Sequence, residues 1–162
     1  MIQSLADWME STWVNELVIG YAWTWPTLET LHFIALCVLM GALLVMDLRL
    51  VGFERTVPLS AVHRLMPIAI ASFAVNLITG ILFCFGDPHR YFVNISFQLK
   101  MVFLLLAGLN FLLYFAKIEP QLARLGPHAD TPPMAKAVGA ASLVFWFAVL
   151  SFGRLIPYLG TG

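Results

Sequence analysis

The sequence predicts an all-α integral membrane protein, a four-helix bundle preceded by an interfacial amphipathic helix. Three observations carry that expectation. Of 162 residues, 60% are hydrophobic and only 11% charged, against about 25% charged in a soluble domain, and the mean hydropathy is +0.87. The charges also cluster: Thr30–Met46, Leu65–Gly86, Met101–Ala116 and Ala137–Gly153, runs of 17, 22, 16 and 17 residues, contain no Asp, Glu, Lys or Arg. Finally, these runs are continuously apolar and do not alternate, the pattern of a spanning helix and not of a barrel strand. A hydrocarbon core about 30 Å thick takes about 20 helical residues, a length each run reaches with its uncharged or snorkelling flanks.

Taken in order, residues 1–26 form an interfacial segment, residues 27–158 the bundle and residues 159–162 a tail. The first segment lacks the basic start, apolar centre and small-residue cleavage site of a signal peptide. Leu5, Trp8, Met9 and Trp13 recur at helical spacing among Asp7, Glu10 and Glu16, the pattern of a helix lying in the bilayer interface. Tyr21, Trp23 and Trp25 read as an aromatic belt, and Pro26 opens the first span. The four spans are expected near Thr27–Met46, Met66–Phe85, Phe97–Ala116 and Lys136–Ile156.

Orientation follows from Lys and Arg in the short connections. The first and third connections hold Arg49, Arg55, Arg64, Lys117, Arg124 and Lys136, whereas the chain ends and second connection hold Arg90, Lys100 and Arg154. Six against three predicts that both termini lie outside, which in a bacterial inner membrane is the periplasmic side. Nine basic and nine acidic residues cancel, which excludes the cationic surface of a nucleic-acid-binding protein. The expected contact is the lipid bilayer, together with a larger membrane complex or a second copy as a homodimer.

Ionisable residues at membrane depth are functional candidates. An outer group comprises Glu29, His32, Lys100 and Arg154, with Asp87, His89, Arg90, Tyr91 and Tyr158 near the helix ends. Glu29 precedes His32 by three residues, so the two share a helix face and the carboxylate can orient the imidazole; Arg154 is the expected ion partner of Glu29 or of a ligand carboxylate. An inner group, Asp47, Arg49, Glu54, Arg55, His63, Arg64, Lys117 and Glu119, reads mainly as interfacial solvation, with His63 retained as a candidate. His128 reads as loop surface. Asn76 and Asn110 fall at similar depth and read as structural amides joining helices, with Gly80, Gly108 and Gly139 as points of close helix approach. Cys37 and Cys84 read as small hydrophobes.

A b-type haem between helices needs imidazole ligands, an apolar pocket and Arg, Lys or Tyr near its propionates. The outer group supplies each type: His32 with a second ligand from His89 or His63, and Arg154 or Lys100 at the propionates. The expected function is therefore haem b binding in an electron-transfer or redox-accessory protein. The alternatives are a noncatalytic subunit of a larger membrane complex and, more weakly, copper handling with His32 as the metal ligand. No metalloprotease, phosphate-loop or nucleophile-elbow motif is present, so the chain is not expected to be an enzyme on its own.

The elements Glu29-Thr-Leu-His32, Asp47-Leu-Arg49-Leu-Val-Gly52, His63-Arg-Leu-Met-Pro67, Asn94-Ile-Ser-Phe-Gln-Leu-Lys100, Ala107-Gly-Leu-Asn110 and Gly153-Arg154-Leu-Ile-Pro-Tyr158 resemble, in that order, a family of small bacterial four-helix membrane proteins of unknown function. The resemblance covers about residue 25 to residue 158 and implies the fold and a bacterial inner-membrane location. His89 lies outside that pattern. A looser similarity to copper-resistance D-type proteins and small cytochrome b subunits rests on a histidine near the outer end of a helix in a compact bundle.

Overall fold

A computed structural model describes residues 2–53 and 55–159; Glu54 of the inner group and residues 160–162 of the tail lie outside them. The described chain contains α1 (Ile2–Glu10), α2 (Trp13–Ile19), α3 (Thr24–Val51), α4 (Leu59–His63), α5 (Met66–Gly86), α6 (Pro88–Val93), α7 (Ile95–Leu113), α8 (Glu119–Leu122) and α9 (Pro133–Leu155). A π-helical turn, Tyr114–Ile118, joins α7 to α8. Pro120 accounts for it, because proline has no N–H to donate to the carbonyl four residues back and its ring crowds that carbonyl.

Four helical stretches are long and apolar enough to cross a membrane: Thr24–Val51, Leu59–Gly86, Ile95–Leu122 and Pro133–Leu155. The 28 residues of α3 extend for about 42 Å, longer than the hydrocarbon core, so this helix carries Asp47 and Arg49 beyond its apolar run without breaking. It stops at Gly52, whose φ of 101° is the left-handed conformation that ends helices and favours glycine. Ile34, Ile78, Leu105, Leu109 and Leu112 are all more than half exposed. Such apolar belts are lipid-facing surface, because hydrocarbon and not water is their solvent.

The interfacial segment is two helices and not one. Ser11 and Thr12 interrupt it: both hydroxyls bond back to carbonyls of α1, at Trp8 and Met9, and Thr12 caps α2 by accepting from the Asn15 N–H. Ala6, Met9, Asn15 and Val18 are buried while Trp8 and Trp13 face outward. The Asn15 amide donates to the Phe85 carbonyl at 2.7 Å, fixing the segment on the end of the bundle formed by α5 and α6.

In the bundle, α3 packs against α5 and α9, and α9 against α7; α5 and α7 have no comparable contact among the described residues. The α3–α9 approach depends on Gly139, where a Cβ would fall 2.9 Å from the Leu50 Cβ and 3.0 Å from the Asp47 carbonyl oxygen. Gly108, by contrast, has nothing within 4 Å of such a Cβ and makes no close helix approach. The main apolar core, with Met46, Leu50, Met66, Tyr114, Ile118 and Val138, sits at the end away from α1 and α2. Arg49 ties the loops there, donating from Nε to the Val57 carbonyl at 2.7 Å and from Nη2 to the Ala129 carbonyl at 3.1 Å. One end of the bundle is thus closed by packing, while the other, under α6, is left open between α5 and α7.

Candidate functional site

The open half holds a cavity of about 1020 Å³ lined from α3, α5, α6, α7 and α9. Its walls are mainly apolar, with Phe33, Leu36, Phe73, Leu77, Leu104 and Trp146. The polar exceptions include Glu29, His32, Asn76, Arg90, Lys100 and Arg154. Of the residues singled out from sequence, the cavity therefore gathers Glu29, His32, Asn76, Lys100 and Arg154.

His32 stands about 12 Å along α3 from Thr24 and its Nδ1 lies 2.7 Å from the Thr79 Oγ1. That hydroxyl is 2.8 Å from the Val75 carbonyl and 3.2 Å from that of Asn76. The hydroxyl has one proton, which it can give to a carbonyl while accepting from the imidazole, or give to the imidazole itself. In the first arrangement Nδ1 carries the ring proton, and Nε2 has no protein hydrogen-bond partner among the described residues. The ring is held further by an edge contact with Phe83, centroids 5.4 Å apart. A Cβ at Gly80 would stand 3.9 Å from the imidazole Cε1, so the glycine leaves room beside the ring.

Glu29 does not orient the imidazole: its Oε1 accepts from the Trp25 indole N–H at 3.1 Å. Arg154 forms no ion pair with Glu29 either. It donates to the Tyr158 hydroxyl at 3.1 Å and stacks over that ring at 5.1 Å. Lys100 has no carboxylate partner among the described residues, and its Nζ lies 3.6 Å from where a Gly153 Cβ would stand. Asn76 donates within its own helix to the Ser72 carbonyl at 3.0 Å, and its Oδ1 is buried without a partner. The interhelical amide bond occurs at Asn110, which donates to the Val138 carbonyl at 3.0 Å.

The other histidines lie elsewhere. His89 pairs with Asp7 at 3.1 Å and Glu10 at 3.8 Å, on the outside of α6 where α1 crosses it. His63 faces Glu119 at 3.5 Å at the opposite end, and His128 touches the Arg55 carbonyl at 3.3 Å. The structure does not bring any of them to the cavity beside His32. Cys37 and Cys84 are both free thiols, and only Cys84 lines the cavity.

The cavity has a roof, α6, which Asp87 caps by accepting from the Arg90 N–H at 3.2 Å. Tyr91 from this roof is half-buried, and burial pushes its phenol up to about 12, so it stays a neutral donor. The junction from α6 to α7 is fixed by Asn94, which is fully buried. Its Oδ1 accepts from the Ser96 and Phe97 N–H groups at 2.9 and 3.2 Å. Its amide donates to the carbonyls of Ile156, at 2.9 Å, and Leu159. Thr79, which holds the site from behind, carries no signal in sequence beyond being a small polar residue at membrane depth, whereas Asn94 opens one of the elements that carry the family resemblance but shows its capping role only in the structure.

Fold and cavity together define a small protein with four helices long and apolar enough to span a membrane and a cavity between them that is open on the α5–α7 side. Over residues 5–159 the chain matches the family described as a family of unknown function (DUF6644), and it belongs to that family. No curated protein and no solved structure matches it, so the looser likeness to copper-resistance D-type and cytochrome b proteins gains no support from these comparisons.

Proposed function

We propose that this protein binds haem b in the cavity through His32 and acts as an electron-transfer or redox-accessory protein of the bacterial inner membrane, with both termini periplasmic. The observation that supports this best is the state of His32. A metal-ligating histidine donates its second ring N–H to a fixed acceptor; the Thr79 Oγ1, 2.7 Å from Nδ1, is placed to be that acceptor, which leaves Nε2 for a ligand. The cavity is at the upper limit of ordinary small-molecule pockets, about 300–1,000 Å³, which suits a macrocycle better than a bare ion. Arg90, Lys100 and Arg154 supply the cations that would pair with its propionates. When bound, haem supplies a one-electron couple; the chain's part is to hold the iron at His32, anchor the carboxylates and exclude water with the apolar wall.

His32 is the one imidazole on this cavity among the described residues, so the ligation proposed is by a single histidine. The copper reading has less to stand on: no three or more His, Cys, Asp or Glu side chains are grouped so as to hold a metal ion among the described residues. An accessory subunit of a larger complex, or a homodimer, draws support from the open side between α5 and α7, which a partner helix would cover. The test is the reduced-minus-oxidised spectrum of purified wild type and of the His32→Ala, His63→Ala and His89→Ala variants. Loss of the Soret and α bands in His32→Ala alone is expected. Retention in His32→Ala, or loss on replacing His63 or His89, would overturn the assignment.

A further inference from the structure

A second cavity, of about 200 Å³, lies toward the packed end of the bundle between α3, α5, α7 and α9. Leu39, Phe73, Leu104 and Trp146 line both cavities, an apolar partition between them. Asp47 enters the smaller one from α3 with 4% of its surface exposed, and its Oδ2 has no hydrogen-bond partner. Ser142 of α9 lines the same cavity.

No ion pair to it occurs among the described residues. Arg55 and Lys136 are taken by Asp130, His63 faces Glu119, and Arg49 donates to the Val57 and Ala129 carbonyls, its Nη1 being buried without a hydrogen-bond partner. Arg49, two residues along the helix, is rotated about 200° away from Asp47. A buried carboxylate without a counter-charge is costly enough that a cation or a proton must accompany it.

The rest of the polar lining is Asn110, Tyr114 and Ser142. Asn110 and Tyr114 are four residues apart on one face of the third span. Asn110 spends its N–H on the Val138 carbonyl, so its oxygen is the atom left to coordinate. The polar donors are then all oxygens, the ligand type of hard cations. One carboxylate among neutral oxygens balances a single charge, whereas a divalent ion would leave a net positive charge in apolar surroundings. At roughly 30 Å³ per water, the space admits an ion with several waters.

We infer that Asp47, with Asn110, Tyr114 and Ser142, forms an intramembrane binding site for a monovalent metal cation. It is independent of the haem reading, and sodium is the probe. Thermal unfolding of the purified full chain in detergent is measured against sodium chloride, with choline chloride holding ionic strength constant. Wild type is expected to gain about 5–10 °C in Tm at sodium a hundredfold above Kd, saturably, and Asp47→Asn to gain nothing. Ser142→Ala, which keeps the carboxylate, should fold as wild type and shift the sodium midpoint about fivefold. A wild-type Tm that responds to pH but not to sodium would mean that the carboxyl holds only a proton and would overturn the proposal. So would a sodium response unchanged in both variants.

Discussion

Replacing Thr79 by valine isolates the feature on which the haem reading depends. The two side chains have nearly the same shape, so packing between α3 and α5 is kept and the hydroxyl alone is lost. It makes two bonds of consequence, 2.7 Å to the His32 Nδ1 and 2.8 Å to the Val75 carbonyl. The second costs little, because that carbonyl is also a helix acceptor. The first leaves an imidazole N–H unsatisfied at membrane depth, about 1–3 kcal/mol, or releases the ring to rotate. Loss of the outer partner of a ligating histidine typically lowers metal affinity about 10–100-fold. The assay is haem titration of apo-protein followed at the Soret band, in wild type, Thr79→Val and Thr79→Ser. Thr79→Val should bind about 10–100-fold more weakly, and Thr79→Ser, which restores the hydroxyl, should recover most of the loss. Equal affinities in Thr79→Val and wild type would refute the claim that this hydroxyl sets the histidine's orientation.

Other consequences are more local. Gly139→Ala pushes a methyl into the Leu50 side chain and the Asp47 carbonyl and should destabilise the bundle by about 1–3 kcal/mol, read as a lowered Tm; an unchanged Tm would mean that α3 and α9 separate freely. Asn94→Ala removes a helix cap and two interhelical donors, with an expected cost of about 2–4 kcal/mol and faster proteolysis at the α6–α7 junction. The Tyr91 phenol is raised from 10.0 to about 12, so its contribution to stability is complete below about pH 10 and is lost as pH rises through 12. Stability should therefore fall less between pH 10 and 12 in Tyr91→Phe than in wild type, and parallel curves would contradict this.

How far the sequence went is best seen along α3. Its apolar run and the aromatic residues before it are local signals and predict a span near Thr27–Met46; the helix runs from Thr24 to Val51 and stops at Gly52, an end that the apolar run does not mark. The depth of His32 was legible for the same reason, since depth is distance along a helix. Its partner was not: choosing Thr79 over Glu29 requires knowing which face of α5 meets α3, a matter of packing that periodicity leaves open. Glu29 has the right spacing but turns instead to the Trp25 indole. His89 illustrates the converse. Its position in the connection was evident, whereas its pairing with Asp7 and Glu10 depends on α1 folding back over α6. Asp47 reads as interfacial because charges cluster around it, yet the helix continues past the apolar run and buries it against Gly139. Asn76 and Asn110 lie at matching depths but on helices that do not pack together, so depth alone could not pair them.

The cavity is proposed to hold one haem through one histidine, His32. The most direct measurement is the haem content of protein purified from membranes, with the reduced spectrum taken before and after adding carbon monoxide. One haem per chain, with a carbon monoxide shift of the Soret band and neither signal in His32→Ala, is the predicted result. Protein that carries no haem and takes up none on titration, or haem that is present equally in His32→Ala, would contradict it.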